Sequence, residues 1–142
     1  MGQQESNIRK CNFEDIQDII NNKRQYLLIN TLEICEQNCL IKNTINVNDE
    51  IKIINEALKN NKYITIIIYG KNSNDKSIYD KYKQLLELGF INIYLYIGGL
   101  FEWLCLQDIY GYENFPTTKK ELDILKFKPK SNIMNNLLTD MY

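Results

Sequence analysis

The residues best placed to do chemistry lie in one short run: Gly70, Lys71, Asn72, Ser73, Asn74, Asp75, Lys76 and Ser77. An apolar, β-branched stretch from Tyr63 to Tyr69 stops at the glycine, and Ser77 opens a helical pattern. A polar loop between a buried strand and a helix N-terminus can turn its backbone N–H groups toward one point, which is how proteins hold an anion. The run also follows G-x4-G-K-[ST] at Gly70, Lys76 and Ser77. Asp75 stands where that pattern needs its second glycine. A carboxylate there repels phosphate, and a side chain crowds the backbone approach. The nucleotide reading is therefore set aside, and residues 70–77 are read as a candidate anion-binding loop with Lys71 and Lys76 as its cations.

The rest of the chain narrows the chemistry further. It contains no histidine, so Ser-His-Asp and Cys-His catalysis are excluded, as is a histidine base. Of the four cysteines, Cys35 and Cys39 form a C-x3-C pair with no second pair behind it. No metal site and no cofactor are expected from them. Cys105, between Leu104 and Leu106, reads as a small core hydrophobe. The start, MGQQES, matches M-G-x-x-x-[ST] with Gly2 and Ser6 in place, which makes Gly2 a candidate for myristoylation. One myristoyl chain binds a membrane only marginally, so a second signal is required; Arg9-Lys10 or a palmitoylated Cys11 would supply it.

These features need a scaffold, and the bulk properties say which kind. The chain has 142 residues, enough for one domain with a sizeable core. A net charge of −1 leaves no basic excess for phosphate contacts, so nucleic acid is excluded as a partner. No apolar run approaches the roughly 18 residues of a spanning helix, and the first residues lack the apolar core of a secretory signal. The expected location is intracellular, either cytoplasmic or peripheral to a membrane through the N-terminal lipid.

Periodicity then places the elements. Asn12 caps a helix whose Phe13, Ile16, Ile19 and Ile20 share a face. Residues 26–30 read as a buried strand, and 39–47 as a loop with one or two short strands. The stretch 46–60 reads as a helix with Ile51, Ile54 and Leu58 in a row. Residues 63–69 are apolar at nearly every position, as in a central parallel strand covered on both faces. Residues 77–88 form a helix that turns Ile78, Tyr82, Leu85 and Leu86 inward, with Gly89 as its C-cap. A buried strand follows at 91–97, then the Gly98-Gly99 turn and a helix over 100–110. Thr118 and Glu121 suggest a capping box for a short helix. Alternation of this kind implies a parallel sheet with helices on both faces. The expected organisation is a flexible segment over 1–12, one domain over 13–127 and a tail over 128–142.

The segment ITIIIYGKNSNDKSIYDKYKQLLELGFINIYLYIGGLFEWL resembles the rhodanese family. Gly89-Phe90 correspond to the family's Gly-Phe, and IYLYIGGLFEW, 93–103, to its second strand with the Gly-Gly-x-x-x-Trp tail. The resemblance runs over roughly residues 13–112 and implies a three-layer αβα domain around a small parallel sheet. It also implies a functional loop at 70–76. In the family a cysteine directly after the strand carries the covalent intermediate, and an arginine closes the loop. Here those positions hold Gly70 and Lys76. The loop is one residue longer than in typical sulfurtransferases, which resembles the dual-specificity phosphatase and arsenate reductase branch. The family's usual histidine before the short strands is absent.

A glycine has no nucleophile, and lysine lacks the planar two-pronged grip of arginine. The resulting expectation is a catalytically inactive rhodanese-like domain that binds protein partners or acts as a scaffold within a larger assembly. Two alternatives stand beside it. One is a sulfurtransferase or phosphatase whose nucleophile comes from elsewhere, with Cys39 or Cys105 as candidates. The other is a sensor that holds an anion or phosphorylated partner in loop 70–76, with Lys76 pointing inward.

Overall fold

A computed structural model describes residues 7–22 and 25–133. Its centre is a four-stranded parallel sheet in the order β1-β4-β3-β2, with β1 at Arg9–Cys11, β2 at Tyr26–Asn30, β3 at Thr65–Tyr69 and β4 at Ile93–Tyr96. Among the described residues four α-helices surround it: α1 at Phe13–Asn22, α2 at Glu50–Asn60, α3 at Ser77–Leu88 and α4 at Gly99–Tyr110.

Side-chain alternation along the strands divides the core. Leu27, Ile29, Ile66, Ile68, Ile93 and Leu95 turn to one face, where Ile54 of α2 and Ile78 and Leu85 of α3 cover them. Leu28, Ile67, Tyr69 and Tyr96 turn to the other, against Ile16 of α1 and Leu100, Trp103 and Leu104 of α4. The inner stretches of β2, β3 and β4 are thus apolar because both faces are covered, whereas the edge strand β1 is Arg9-Lys10-Cys11. This is the three-layer αβα architecture that the alternating pattern implies.

Several local expectations hold atom by atom. Asn12 Oδ1 accepts the Asp15 N–H at 3.1 Å while Asp15 Oδ2 accepts the Asn12 N–H at 3.0 Å, a reciprocal N-terminal cap on α1. Gly89 closes α3 at φ +115°, with Phe90 N–H donating to Leu85 O and Gly89 N–H to Leu86 O.

Others are corrected. The segment 1–12 is not wholly a flexible leader, because Arg9–Cys11 pair with Tyr94–Tyr96 as the edge strand. Three residues are too few to show a period, so only the partner strand reveals this one. Ile51 is 76% exposed and Leu86 42% exposed. Each lies at the margin of its helix's apolar stripe, and the stripe rests on Ile54 in α2 and on Ile78 and Leu85 in α3. No strand forms over 39–47; Ile41 makes one antiparallel bridge to Thr117. The capping box at Thr118 is absent as well. Its hydroxyl turns to Leu40 N and Asn38 O, Glu121 pairs with Lys126 at 2.7 Å, and a 3-10 turn at Ile124–Phe127 stands in place of the helix.

Candidate functional site

Parallel strands all end at the same edge of the sheet, and β3 delivers Gly70 to the middle of that edge. Three devices shape the loop that follows. Asn72 is buried; its Oδ1 accepts the Asn74 N–H at 2.9 Å, and its Nδ2 donates to Phe127 O at 2.9 Å. The start of α4 closes from one side, with Leu100 N–H donating to Gly70 O and Phe101 N–H to Lys71 O, both at 2.9 Å. The third device is Asp75.

The Asp75 carboxylate folds back into the loop. Oδ2 accepts the Lys71 N–H at 2.9 Å, and Oδ1 accepts both the Ser77 N–H at 3.0 Å and the Ser77 hydroxyl at 2.6 Å. Ser77 Oγ also lies 2.7 Å from Thr31 Oγ1. The N–H groups of Lys71, Asn74, Asp75 and Ser77 all find acceptors within the loop. The negative charge that the helix N-terminus favours comes from the chain itself.

The two lysines diverge. Lys71 Nζ pairs with Glu36 at 2.7 Å beside the loop. Lys76 lies over the Tyr79 ring, 5.9 Å from its centroid, in a separate cleft with Lys10 and Asp80. The cleft above the loop, about 580 Å³, is bordered by Lys71, Asn72, Asp75 and Ser77 on one side and by Lys128 and Lys130 on the other. Ser73 and Asn74 are exposed at the loop tip.

No cysteine lines that cleft. Cys11 lies in the edge strand, where burial first and Asp15 second push its thiol up to about 12. Cys39 is buried and donates to Lys119 O at 3.2 Å; burial raises it. Burial also raises Cys105, with Asp108 and Glu102 adding to the effect. Cys35 is the exposed thiol. At pH 8 a group near 12 holds about one part in ten thousand as thiolate. Iodoacetamide at pH 8, read by peptide mass spectrometry, is therefore expected to label Cys35 first, with Cys11 and Cys39 at least about tenfold slower. The unfolded Cys11 thiol ionises near 9, so the fold gains from its neutral form below that pH and loses this gain as pH climbs toward 12. Gly2, the proposed lipid site, lies outside the described residues.

In the sequence Asp75 stands out only as a misfit to a phosphate loop. The available signal was its place two residues before Ser77, where an aspartate can accept the N–H of a helix's first turn.

The rhodanese-like domain model matches residues 7–105. The fold resembles a crystal structure of an Anabaena protein, with TM-score 0.54, 16% identity, 82% of this chain and 97% of that chain covered. It also resembles the solution structure of the rhodanese-like domain from the same Anabaena protein, with TM-score 0.53, 17% identity, and 86% and 85% covered. A full-length protein from Lactobacillus plantarum gives TM-score 0.52 at 14% identity, with 69% and 82% covered. None of the curated proteins compared matches the chain.

Proposed function

This chain belongs to the rhodanese-like domain family, and from that premise we propose that it is a non-catalytic member working as a protein-binding or scaffold module. One observation carries the reading. The strand-end position expected to bear the family's nucleophile is Gly70, and no cysteine borders the cleft along the loop that follows it. Covalent sulfur or phosphoryl transfer needs a thiolate within reach of the loop's donors. Three of the four thiols are instead raised, chiefly by burial.

The alternatives gain less support. An imported nucleophile would have to reach a cleft that Cys39 and Cys105 do not line. An anion sensor would compete with Asp75 for the loop's donors, and Lys76 faces a different cleft. A binding role is favoured by exposed apolar groups at the end of α4: Ile109 at 71%, Tyr110 at 61% and Tyr112 at 37% exposed. Clustered exposed aromatics of this kind suit protein contact. The Gly2 motif supplies a candidate tether. No helix among the described residues is long and apolar enough to cross a membrane.

The purified protein is expected to show no turnover above background with thiosulfate and cyanide, or with an aryl phosphate. Thiol-dependent turnover, abolished by replacing one of Cys11, Cys35, Cys39 or Cys105, would overturn the reading.

A further inference from the structure

We infer that Gly70 and Asp75 form one unit, in which the Asp75 carboxylate fills the place of a side chain at position 70 and plugs the loop from within. Two independent features meet here. The first is steric. A Cβ built on Gly70 would lie 2.8 Å from Asp75 Cγ, closer still to its Oδ2, and 3.1 Å from Ile78 Cγ2. Ile78 is 2% exposed and packed against the sheet, so it has little room to yield. Only Asp75 can move, and moving it gives up its bonds to Lys71 N–H, Ser77 N–H and the Ser77 hydroxyl.

The second feature is electrostatic. A thiolate at position 70 would stand against a carboxylate, and like charges at that range disfavour ionisation. Two of the loop's N–H donors, those of Lys71 and Ser77, already serve Asp75. A side chain at position 70 and the inward carboxylate of Asp75 therefore compete for the same space in this loop. Restoring the cysteine alone yields a crowded loop with a sluggish thiol. Restoring it while removing the carboxylate yields space and free donors together. The inference rests on the non-catalytic reading for its meaning, but its geometry stands apart from any choice of partner.

The test uses the full chain in four forms: wild type, Gly70→Cys, Asp75→Ser and the double variant. Melting temperatures give a double-mutant cycle. The iodoacetamide rate at position 70, followed against pH by mass spectrometry, gives the state of the introduced thiol. Gly70→Cys is expected to lower the melting temperature more in the wild-type background than in the Asp75→Ser background. At pH 7 the thiol should react at least about tenfold faster in the double variant, with its pH midpoint shifted down. Additive melting shifts, with the same alkylation profile in both backgrounds, would overturn the inference. Where Gly70→Cys fails to fold, Gly70→Ala adds the Cβ alone, and the same non-additivity is expected. Turnover by the wild type would end the non-catalytic reading and leave this inference standing. Additivity would do the reverse.

Discussion

Replacing Trp103 with alanine is expected to cost about 3–5 kcal/mol, the range for large-to-small aromatic truncation in a core. Trp103 is fully buried in α4. Its ring meets Tyr96 edge-on at 6.4 Å and Phe115 edge-on at 5.1 Å, and Nε1 donates to Pro116 O at 3.1 Å. It therefore joins β4, α4 and the segment after α4 at one point. At roughly 3 °C per kcal/mol for a chain of this size, the melting temperature should fall by about 10–15 °C. Trp103→Phe should cost well under half as much, because it keeps a ring and Pro116 O retains the Lys42 N–H at 3.0 Å. Differential scanning calorimetry on both variants decides it. A shift below about 3 °C for the alanine variant would mean that this packing contributes little.

Gly99→Ala is expected to act on the loop itself. Gly99 sits at φ +68°, in the left-handed region, which costs a residue with a Cβ about 1–2 kcal/mol. Its Cβ would also lie 2.7 Å from Gly70 O and 2.9 Å from Asn72 N. Both are backbone atoms with no rotamer to change. The helix start must back away, stretching the Leu100-to-Gly70 and Phe101-to-Lys71 bonds. A loss of roughly 2–4 kcal/mol follows when strain and weakened bonds combine. Hydrogen exchange at Leu100 and Phe101 should accelerate along with the drop in melting temperature. Gly98→Ala is the control. Gly98 has helical φ and carries no left-handed penalty; the Glu102 carboxyl can turn away from its Cβ, but Glu102 Cβ, 2.8 Å away, yields only with the helix, so a loss of about 1–2 kcal/mol is expected. Equal effects at the two glycines would contradict the added cost of the left-handed backbone at position 99.

The contrast between these glycines shows what can be read from a sequence. Gly98-Gly99 marks a turn into a helix in the string itself, and the resemblance places it after the second strand. Which glycine must remain a glycine depends on the Gly70 carbonyl, a contact between residues 29 apart. Exposure on the helices follows the same logic. A row at 51, 54 and 58 is a valid stripe, yet the sheet takes Ile54 and leaves Ile51 in solvent. Of the adjacent Leu85 and Leu86, separated by about 100° around the helix, only Leu85 is buried.

By itself the sequence determined the class of fold, the three longer strands, the four helices and the absence of a nucleophile at position 70. Those are local properties: periodicity, caps and residue type act within a few positions of one another. The edge strand at Arg9–Cys11, the inward Asp75 carboxylate, the outward Lys76 and the tie from Asn72 to Phe127 were decided by the tertiary structure. A strand of three residues forms only because β4 offers an edge. A carboxylate becomes a plug rather than a misfit only because backbone donors converge where a side chain is missing.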